Sequence, residues 1–216
     1  MPMKPIYMEL HKPFEKLQAG ASRFWGNPDL PEETAYPMYK DEDGEEYPYV
    51  FICQVNLSDL HAFAPGNPLP DKGLLSFFAK IDHYLGYMGD SELSGFISEP
   101  SEVKVLYFPD TESLREVILL DDDDQQMSPE ELEIKFSRNH EHLSDDHALF
   151  AEPTHRPWET WDHPFEDWQI LLQVDSFEGP DFILNFMDFG VLDFLISPEA
   201  LRSHDFTNVR GIVLST

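Results

Sequence analysis

The segment Ile52-Cys53-Gln54-Val55-Asn56 has a close counterpart in Leu171-Leu172-Gln173-Val174-Asp175, near the other end of the chain. Each segment is followed, after a similar interval, by the pattern Asp, any residue, Gly, any residue, Leu, any residue, Phe. That pattern covers 71–77 in the first copy and 188–194 in the second. Because both the residue types and their spacing agree, we interpret the two segments as copies of one internal repeat.

Each copy predicts a strand, a connection, a tight turn and a second strand. An Asp two positions before a Gly suits a turn, since Asp bonds to backbone amides and Gly adopts positive φ. Two such β units are expected to pack around a pseudo-two-fold axis, with a groove between them as the default binding site. Gln54, Gln173 and Asp175 are candidate binding residues there. Glutamines that simply satisfy buried backbone groups are the favoured alternative.

Short apolar runs rich in Val, Ile and Phe predict strands elsewhere as well. They cover 49–56, 73–79, 103–108, 115–120, 132–136, 168–174, 181–184, 191–196 and 209–214. Helical spacing or capping residues predict short helices at 7–19 and 197–202. The expected fold is therefore mainly β (α+β), with internally duplicated antiparallel β-sheets and a few short helices. One domain, 1–216, is expected, with repeat halves at about 45–120 and 165–216 joined by an acidic insert that contains His and Trp.

The charge of the chain is strongly one-sided. There are 42 acidic against 14 basic residues, a formal net charge of −28. Phosphates would be repelled, so we expect no nucleic-acid binding and no docking on anionic membranes. A basic protein partner fits this charge, as do cations or simple solubility. The first ten residues lack the apolar segment of a signal peptide, and Cys53 is the single cysteine, so a cytoplasmic location is expected. The chain is also expected to be a monomer.

Four consecutive aspartates, Asp121, Asp122, Asp123 and Asp124, form the most acidic run. They follow a predicted strand and precede a predicted turn, which favours a charged strand end and loop. A partner-facing acidic patch and a metal site are the alternatives. A second acidic block covers 41–46.

Histidines and acids are dense between 140 and 163. The side chains in this stretch that could bind a divalent metal are His140, His142, Asp145, Asp146, His147, His155 and His163. Their spacing matches no metal-site template, so we assign neither metal nor cofactor, and a solvated loop is the favoured interpretation.

Aromatic residues suggest both packing and binding. Trp158, Trp161, Phe165 and Trp168 are expected to plug one end of the fold in preference to forming a binding surface. Trp25 is a candidate binding residue, although anchoring the predicted N-terminal helix is the favoured role.

The motifs together resemble a known family. The stretch 23–31, Arg-Phe-Trp-Gly-Asn-Pro-Asp-Leu-Pro, is similar to the Gly-x-Pro-x-Leu-Pro signature of YwqG-like bacterial proteins, a family of unknown function. The resemblance continues through both repeat copies and spans about 20–214. It implies a duplicated, mainly β domain and transfers no catalytic residue. Members of that family often have Trp-Gly-Asp-x-Gly where this chain has Phe186-Met187-Asp188-Phe189-Gly190.

No nucleophile elbow, phosphate-binding loop or dinucleotide fingerprint is present. The leading hypothesis is a non-catalytic binding protein that engages a basic protein, such as a toxin or enzyme that it neutralises. A metal-assisted hydrolase using Asp, Glu and His of 140–175 is the alternative. A small-molecule binder using the groove between the repeats is the third hypothesis.

Overall fold

The computed structural model describes residues 4–81, 93, 95–139, 147–153, 161–187 and 189–215. In chain order its elements are β1 (Ile6–His11), β2 (Arg23–Phe24), β3 (Asp29–Pro31), β4 (Met38–Lys40), β5 (Glu46–Pro48), β6 (Val50–Asn56), α1 (Leu57–Phe63), β7 (Leu74–Ala79), β8 (Val103–Phe108), β9 (Leu114–Glu116), β10 (Leu132–Ser137), β11 (Ala148–Leu149), β12 (Gln169–Asp175), β13 (Phe177–Glu178), β14 (Ile183–Leu184), β15 (Val191–Ile196), α2 (Pro198–Ser203) and β16 (Arg210–Leu214). The mainly β class expected from the sequence is confirmed.

Ten of these strands form one antiparallel sheet in the order β16-β15-β12-β11-β1-β10-β2-β6-β7-β8. The sheet curls until its two edges approach each other. Residues 93 and 95–98 lie along β16, where the amides of Gly95 and Ser98 donate to the backbone oxygens of Val213 and Gly211 at 2.8 Å each. Gly211 also lies against the Val103 side chain of β8. The sheet is therefore nearly closed, and its interior forms the main core.

Two aromatic side chains from opposite halves of the sheet meet in its core. Phe77 of β7 and Phe194 of β15 are fully buried and meet edge to face, with ring centroids 5.3 Å apart. A smaller cluster around Leu30, Phe51 and Phe78 packs on the outer face of β6 and β7. That second cluster borders the candidate site described below.

The strand pairs β6–β7 and β12–β15 have the same register. Val55 pairs with Leu75 and Gln54 with Ser76 in the first pair. In the second, Val174 pairs with Leu192 and Gln173 with Asp193. Each pair also has one register shift, between Phe51 and Cys53 and between Ile170 and Leu172.

The two motif glycines also occupy matching places. A Cβ on Gly73 would lie 2.4 Å from the Phe108 carbonyl oxygen at the end of β8, and one on Gly190 would lie 2.1 Å from the Leu214 oxygen at the end of β16. Each glycine therefore lets the second strand of its unit approach the third.

The N-terminal helix expected at 7–19 is wrong, because residues Ile6–His11 form a central strand. Ile6 and Met8 are buried while Glu9 and His11 lie outside, which is the two-residue alternation of a strand. Phe14, which completed the apparent helical spacing, is fully exposed.

Both helices begin at side-chain caps. Ser197 accepts a hydrogen bond from the Ala200 amide and Pro198 occupies the first turn of α2, as the sequence predicted. The α1 helix was not predicted; Asn56 caps it by accepting from the amides of Ser58 and Asp59. Within the described residues, neither helix, of seven and six residues, is long enough to cross a membrane.

Two predicted strands are shorter than expected. The run at 115–120 contributes only its first residues to β9, because the chain then turns into a separate hairpin. The run at 181–184 contributes only Ile183–Leu184. The strand predicted at 132–136 is confirmed as β10, so the alternation of Leu132, Ile134 and Phe136 outweighs the helix-start residues before it.

Candidate binding site

An aromatic slot opens beside the outer cluster of β6 and β7. Trp25, Tyr36, Tyr49 and Phe51 contribute aromatic surface, and Val117, Leu119 and Met127 contribute aliphatic surface. The slot has a free volume of about 30 Å³. Such a volume holds one or two waters, or the terminal methyl groups of a branched aliphatic side chain.

An unusual backbone conformation and two aromatic neighbours fix the position of Trp25 at the slot. Its φ of +54° is unusual for a residue with a side chain. The ring packs edge to face against Phe24 and Phe182, at centroid distances of 5.5 and 5.1 Å. It is 1% exposed, and its indole N–H has no partner among the described residues. Trp25 therefore packs within the sheet and does not anchor the N-terminal helix that was expected.

A buried ion network fixes the segment that carries Trp25. Arg23 is 1% exposed, and its guanidinium donates to Asp29 at 2.8 Å and to Glu131 at 3.0 Å. It also donates to the backbone oxygens of Gln18 and Asn27. A buried cation is tolerated only when it is paired and hydrogen-bonded in this way.

Gln54 completes this network and does not reach the slot. Its side-chain amide donates to Asp29 at 2.6 Å and to the Ala21 oxygen at 2.8 Å, and its carbonyl accepts from the Asp29 amide at 2.9 Å. The Asp29 carboxylate accepts from the Gly20 amide as well. Gln54 thus satisfies buried polar groups, the alternative that the sequence favoured for it.

The four aspartates lie at the tip of a hairpin over 117–127, called hairpin B here. Its base borders the slot through Val117, Leu119 and Met127. At the tip, the Asp121 carboxylate accepts from the amides of Asp123 and Gln125 at 2.9 and 2.8 Å. Asp124 adopts a φ of +59°. Asp121 and Asp124 therefore shape the turn, whereas the side chains of Asp122 and Asp123 are exposed.

The second acidic block forms the same turn in another hairpin, hairpin A, over 38–48. The Asp41 carboxylate accepts from the amides of Asp43 and Glu45 at 3.0 and 2.9 Å, and Gly44 has a φ of +85°. Tyr36 and Tyr49, just outside the strands of hairpin A, line the slot. The slot therefore lies at the bases of two hairpins with acidic tips.

We expect Asp121→Ala to lower the free energy of unfolding by about 1–2 kcal/mol, because two backbone amides lose their acceptor. Asp122→Ala removes the same charge without touching the turn, so its effect should stay within about 0.5 kcal/mol. Urea denaturation of both variants measures the difference. Equal effects of the two substitutions would contradict the structural role of Asp121.

Gln173 and Asp175 lie in a different part of the sheet. Four strands separate β12, which carries them, from β6. The Asp175 amide donates to Nδ1 of His147 at 3.1 Å, so the proton of that ring is on Nε2. Phe24 and Phe177 pack against the His147 ring. Burial lowers the pKa of His147 to about 3, so it is neutral at physiological pH.

A buried carboxyl lies on the same strand pair. Asp193 is 1% exposed and pairs with Gln173 across β12 and β15. Burial, followed by the negative charge of Asp175, raises the pKa of Asp193 well above its usual range. Neither the slot nor the cavity beside Trp161, described below, is lined by Gln173 or Asp175.

Most of the histidine-rich stretch lies outside the described residues, including His140, His142, Asp145, Asp146 and His155. His163 is exposed and pairs with Glu166 at 2.8 Å. Among the residues that the structure describes, no three His, Cys, Asp or Glu side chains are grouped so that they could hold a metal ion.

A second cavity of about 200 Å³ lies between Phe150, Trp161 and Trp168. Trp161 is 5% exposed and donates its indole N–H to the Trp168 oxygen, in a core cluster on the outer face of β15 and β16. Trp158 lies outside the described residues, in 154–160, which connects two segments that line this cavity.

The structure thus brings together only some of the predicted residues. Trp25 and the hairpin that carries Asp121 to Asp124 meet at the slot. Gln54 lies in the adjoining ion network, and Gln173 and Asp175 lie elsewhere.

A family model describing a domain of unknown function, DUF1963, matches residues 22–213. The chain belongs to this family. A comparison with curated proteins found no match.

The DUF1963 match begins at the segment that forms the ion network. Residues 22–30 are all buried in the structure. Gly26 is packed so closely that a Cβ there would lie 2.7 Å from the Glu131 Cβ. The stretch 23–31, which suggested the resemblance, therefore supports the slot from beneath, and only Trp25, Gly26, Asn27 and Pro28 line it.

Residues 186–190 of this DUF1963 domain, which differ from the Trp-Gly-Asp-x-Gly pattern, include two side-chain-bearing residues with positive φ. Met187 has a φ of +57°, a conformation that Gly adopts without strain. Its side chain is 49% exposed, and that of Phe189, with a φ of +58°, is 78% exposed. A Gly in place of Met187 would thus relieve backbone strain, whereas Asp188 lies outside the described residues.

The sequence analysis did not identify several residues that form the slot and the ion network of the DUF1963 domain. Arg23 was quoted in the motif without a role, and Tyr36 and Tyr49 were not considered. The acidic pattern of 41–46 was noticed, and its Asp-x-Asp-Gly order is a turn signal that could have placed hairpin A. Nothing in the local sequence indicates that both hairpins meet at one slot.

Proposed function

We propose that this protein is a non-catalytic binding protein whose ligand is a basic protein. The proposal rests on the lack of salt bridges, within the part of the chain that the structure describes, to the acidic side chains at the tips of hairpins A and B. Among the described residues, no Lys, Arg or His forms a salt bridge with any of them. Their charge is therefore free to attract an external cation.

The turns that carry these acids are also fixed before any ligand arrives. Backbone hydrogen bonds to Asp41 and Asp121 fix both turns. A fixed, unpaired negative surface raises the association rate of a basic partner and makes binding sensitive to salt. Inhibition of a basic toxin or enzyme is one function that this chemistry would serve.

The test uses lysozyme, a basic protein, as the probe and calorimetric titration as the measurement. The tip variant combines Glu42→Gln, Asp43→Asn, Asp122→Asn and Asp123→Asn, which spares Asp41 and Asp121. We expect wild type to bind with an affinity that falls as salt rises, and the tip variant to lose most of that affinity.

A control variant removes the same charge elsewhere. It combines Asp59→Asn, Glu112→Gln, Glu178→Gln and Glu199→Gln, all exposed and outside both hairpins. We expect it to bind like wild type. If both variants lose affinity equally, binding depends on net charge alone and the proposal fails.

We also infer that the two halves arose by internal duplication. Three features support this: the equal registers of β6–β7 and β12–β15, their matching register shifts, and the close approach of Gly73 and Gly190 to the third strand of each unit. The sequences of the two halves from many members of the family should align with each other in this register, and a failure to do so would contradict the inference.

The proposal also includes a narrower family, a cellular location and an oligomeric state. The motif stretch 23–31 and the two repeat copies support a YwqG-like protein of the bacterial cytoplasm. A monomer that binds neither nucleic acid nor membrane is consistent with the net charge of −28. Size-exclusion chromatography with light scattering would test the oligomeric state.

A further inference from the structure

We infer that the slot between hairpins A and B receives one branched aliphatic side chain from an extended, lysine- or arginine-rich segment of the partner. This inference rests on the proposed function and names the site and the ligand chemistry. It combines a cavity with an apolar lining and the two acidic tips.

The shape of the slot sets the size of the anchor. Its lining is mainly aromatic and aliphatic, and the Asn27 and Ser128 side chains, which also line it, already bond to each other at 2.8 Å. An apolar side chain therefore gains contact area there without breaking a hydrogen bond. Room for one or two waters suits the terminal methyl groups of valine, isoleucine or leucine better than an aromatic ring.

The hairpins set the charge that flanks the anchor. Leu119, which lines the slot, pairs with Met127, and only Leu120 separates it from the Asp121 turn. That spacing puts the tip roughly 7 Å beyond the slot along the strand. Positive side chains one or two residues from the anchor would lie within reach of Asp122 and Asp123.

Charge also decides between possible occupants. A second copy of this chain would bring 42 acidic against 14 basic residues to an acidic site and be repelled. A neutral small molecule would fill the slot without using either tip. Lys104 stacks on the ring of Tyr49 at 5.2 Å, and Lys80 stacks on Tyr39 at 5.1 Å. The partner's cations are therefore directed to the tips and not to the bases of the hairpins.

The test compares three synthetic pentapeptides with blocked ends by calorimetric titration at low salt. The first has leucine between two pairs of lysines, the second replaces the leucine with alanine, and the third replaces the lysines with glutamines. We expect the first to bind, and the second to bind at least about tenfold more weakly because an apolar side chain is no longer buried. The third should also bind more weakly, because the tip charges go unused.

A matched pair of variants locates the binding. Leu119→Phe fills the slot from a half-buried position and should reduce the leucine peptide to the level of the alanine peptide. Leu120→Phe adds the same ring one residue along, where the side chain is 54% exposed, and should leave binding unchanged. Far-ultraviolet circular dichroism and thermal unfolding confirm that both variants fold.

The outcomes separate this inference from the proposed function. Equal binding of the leucine and alanine peptides would overturn the slot as the anchor site while leaving a basic partner in place. Equal binding of the leucine peptides with lysine and glutamine would overturn the flanking charge. If no peptide binds, the inference is overturned, and the lysozyme titration decides the proposed function by itself.

Discussion

Replacing Arg23 with methionine is expected to lower the free energy of unfolding by about 3–5 kcal/mol. The substitution leaves Asp29, itself 1% exposed, without its buried cation. It also deprives Glu131 and two backbone oxygens of donors. Removing one partner of a buried pair is far more harmful than replacing the whole pair, because the remaining charge stays desolvated. Urea denaturation at pH 7 measures the effect.

Lys16→Met is the control, because it breaks an ion pair next to the same network at the surface. Lys16 contacts Glu116, but its side chain is 68% exposed, so the loss should be about 1 kcal/mol or less. A loss for Arg23→Met as small as this would mean that water reaches Asp29, and that the buried network does not hold the segment carrying Trp25.

The second large effect concerns acid stability and His147. The folded state keeps this ring neutral down to a pKa of about 3, whereas the unfolded chain protonates it near 6.5. Below pH 6.5 the unfolded state therefore binds more protons, and falling pH favours unfolding. The contribution of this group to stability is complete above pH 6.5 and declines by about 1.4 kcal/mol per pH unit down to about pH 3.

His147→Gln removes this titration and retains an acceptor for the Asp175 amide. The difference in unfolding free energy between wild type and variant should shift by about 2 kcal/mol toward the variant between pH 6.5 and 4.5. The raised pKa of Asp193 acts in the opposite direction, because its folded form holds a proton that the unfolded chain releases. Since both proteins keep Asp193, its contribution cancels in the difference. If the unfolding free energies of wild type and variant change with pH by the same amount over this range, His147 is not a buried neutral histidine.

Strands that bury both faces were predictable, because their apolar runs are long and bounded by turns. The β6, β7, β12 and β15 strands were found in this way, and the strict alternation at 132–136 identified β10. The N-terminal strand was mistaken for a helix because Leu10, Phe14 and Leu17 happen to have helical spacing. Only the neighbours β10 and β11 decide the conformation of β1, and they are distant in sequence.

The site was predictable only in fragments. The motif around Trp25 and the acidic runs were visible as patterns, but the slot is assembled from four segments that no local rule connects. Arg23 occupies a two-residue strand, too short for any periodicity to reveal, and its burial depends on Asp29, Gln54 and Glu131 closing around it. His147 looked like one member of a solvated histidine-rich loop and is instead enclosed between Phe24 and Phe177.

The β1 strand pairs with segments that lie far along the chain from it. Tyr7 pairs with Ser137 on one side and with Ala148 on the other. The β6–β7–β8 unit can assemble early from neighbouring residues, but the joint between the two halves of the sheet must wait for β10 and β11. During synthesis β1 therefore lacks these two partner strands until β10 and β11 have been made, a period in which chaperone contact or mispairing is a hazard.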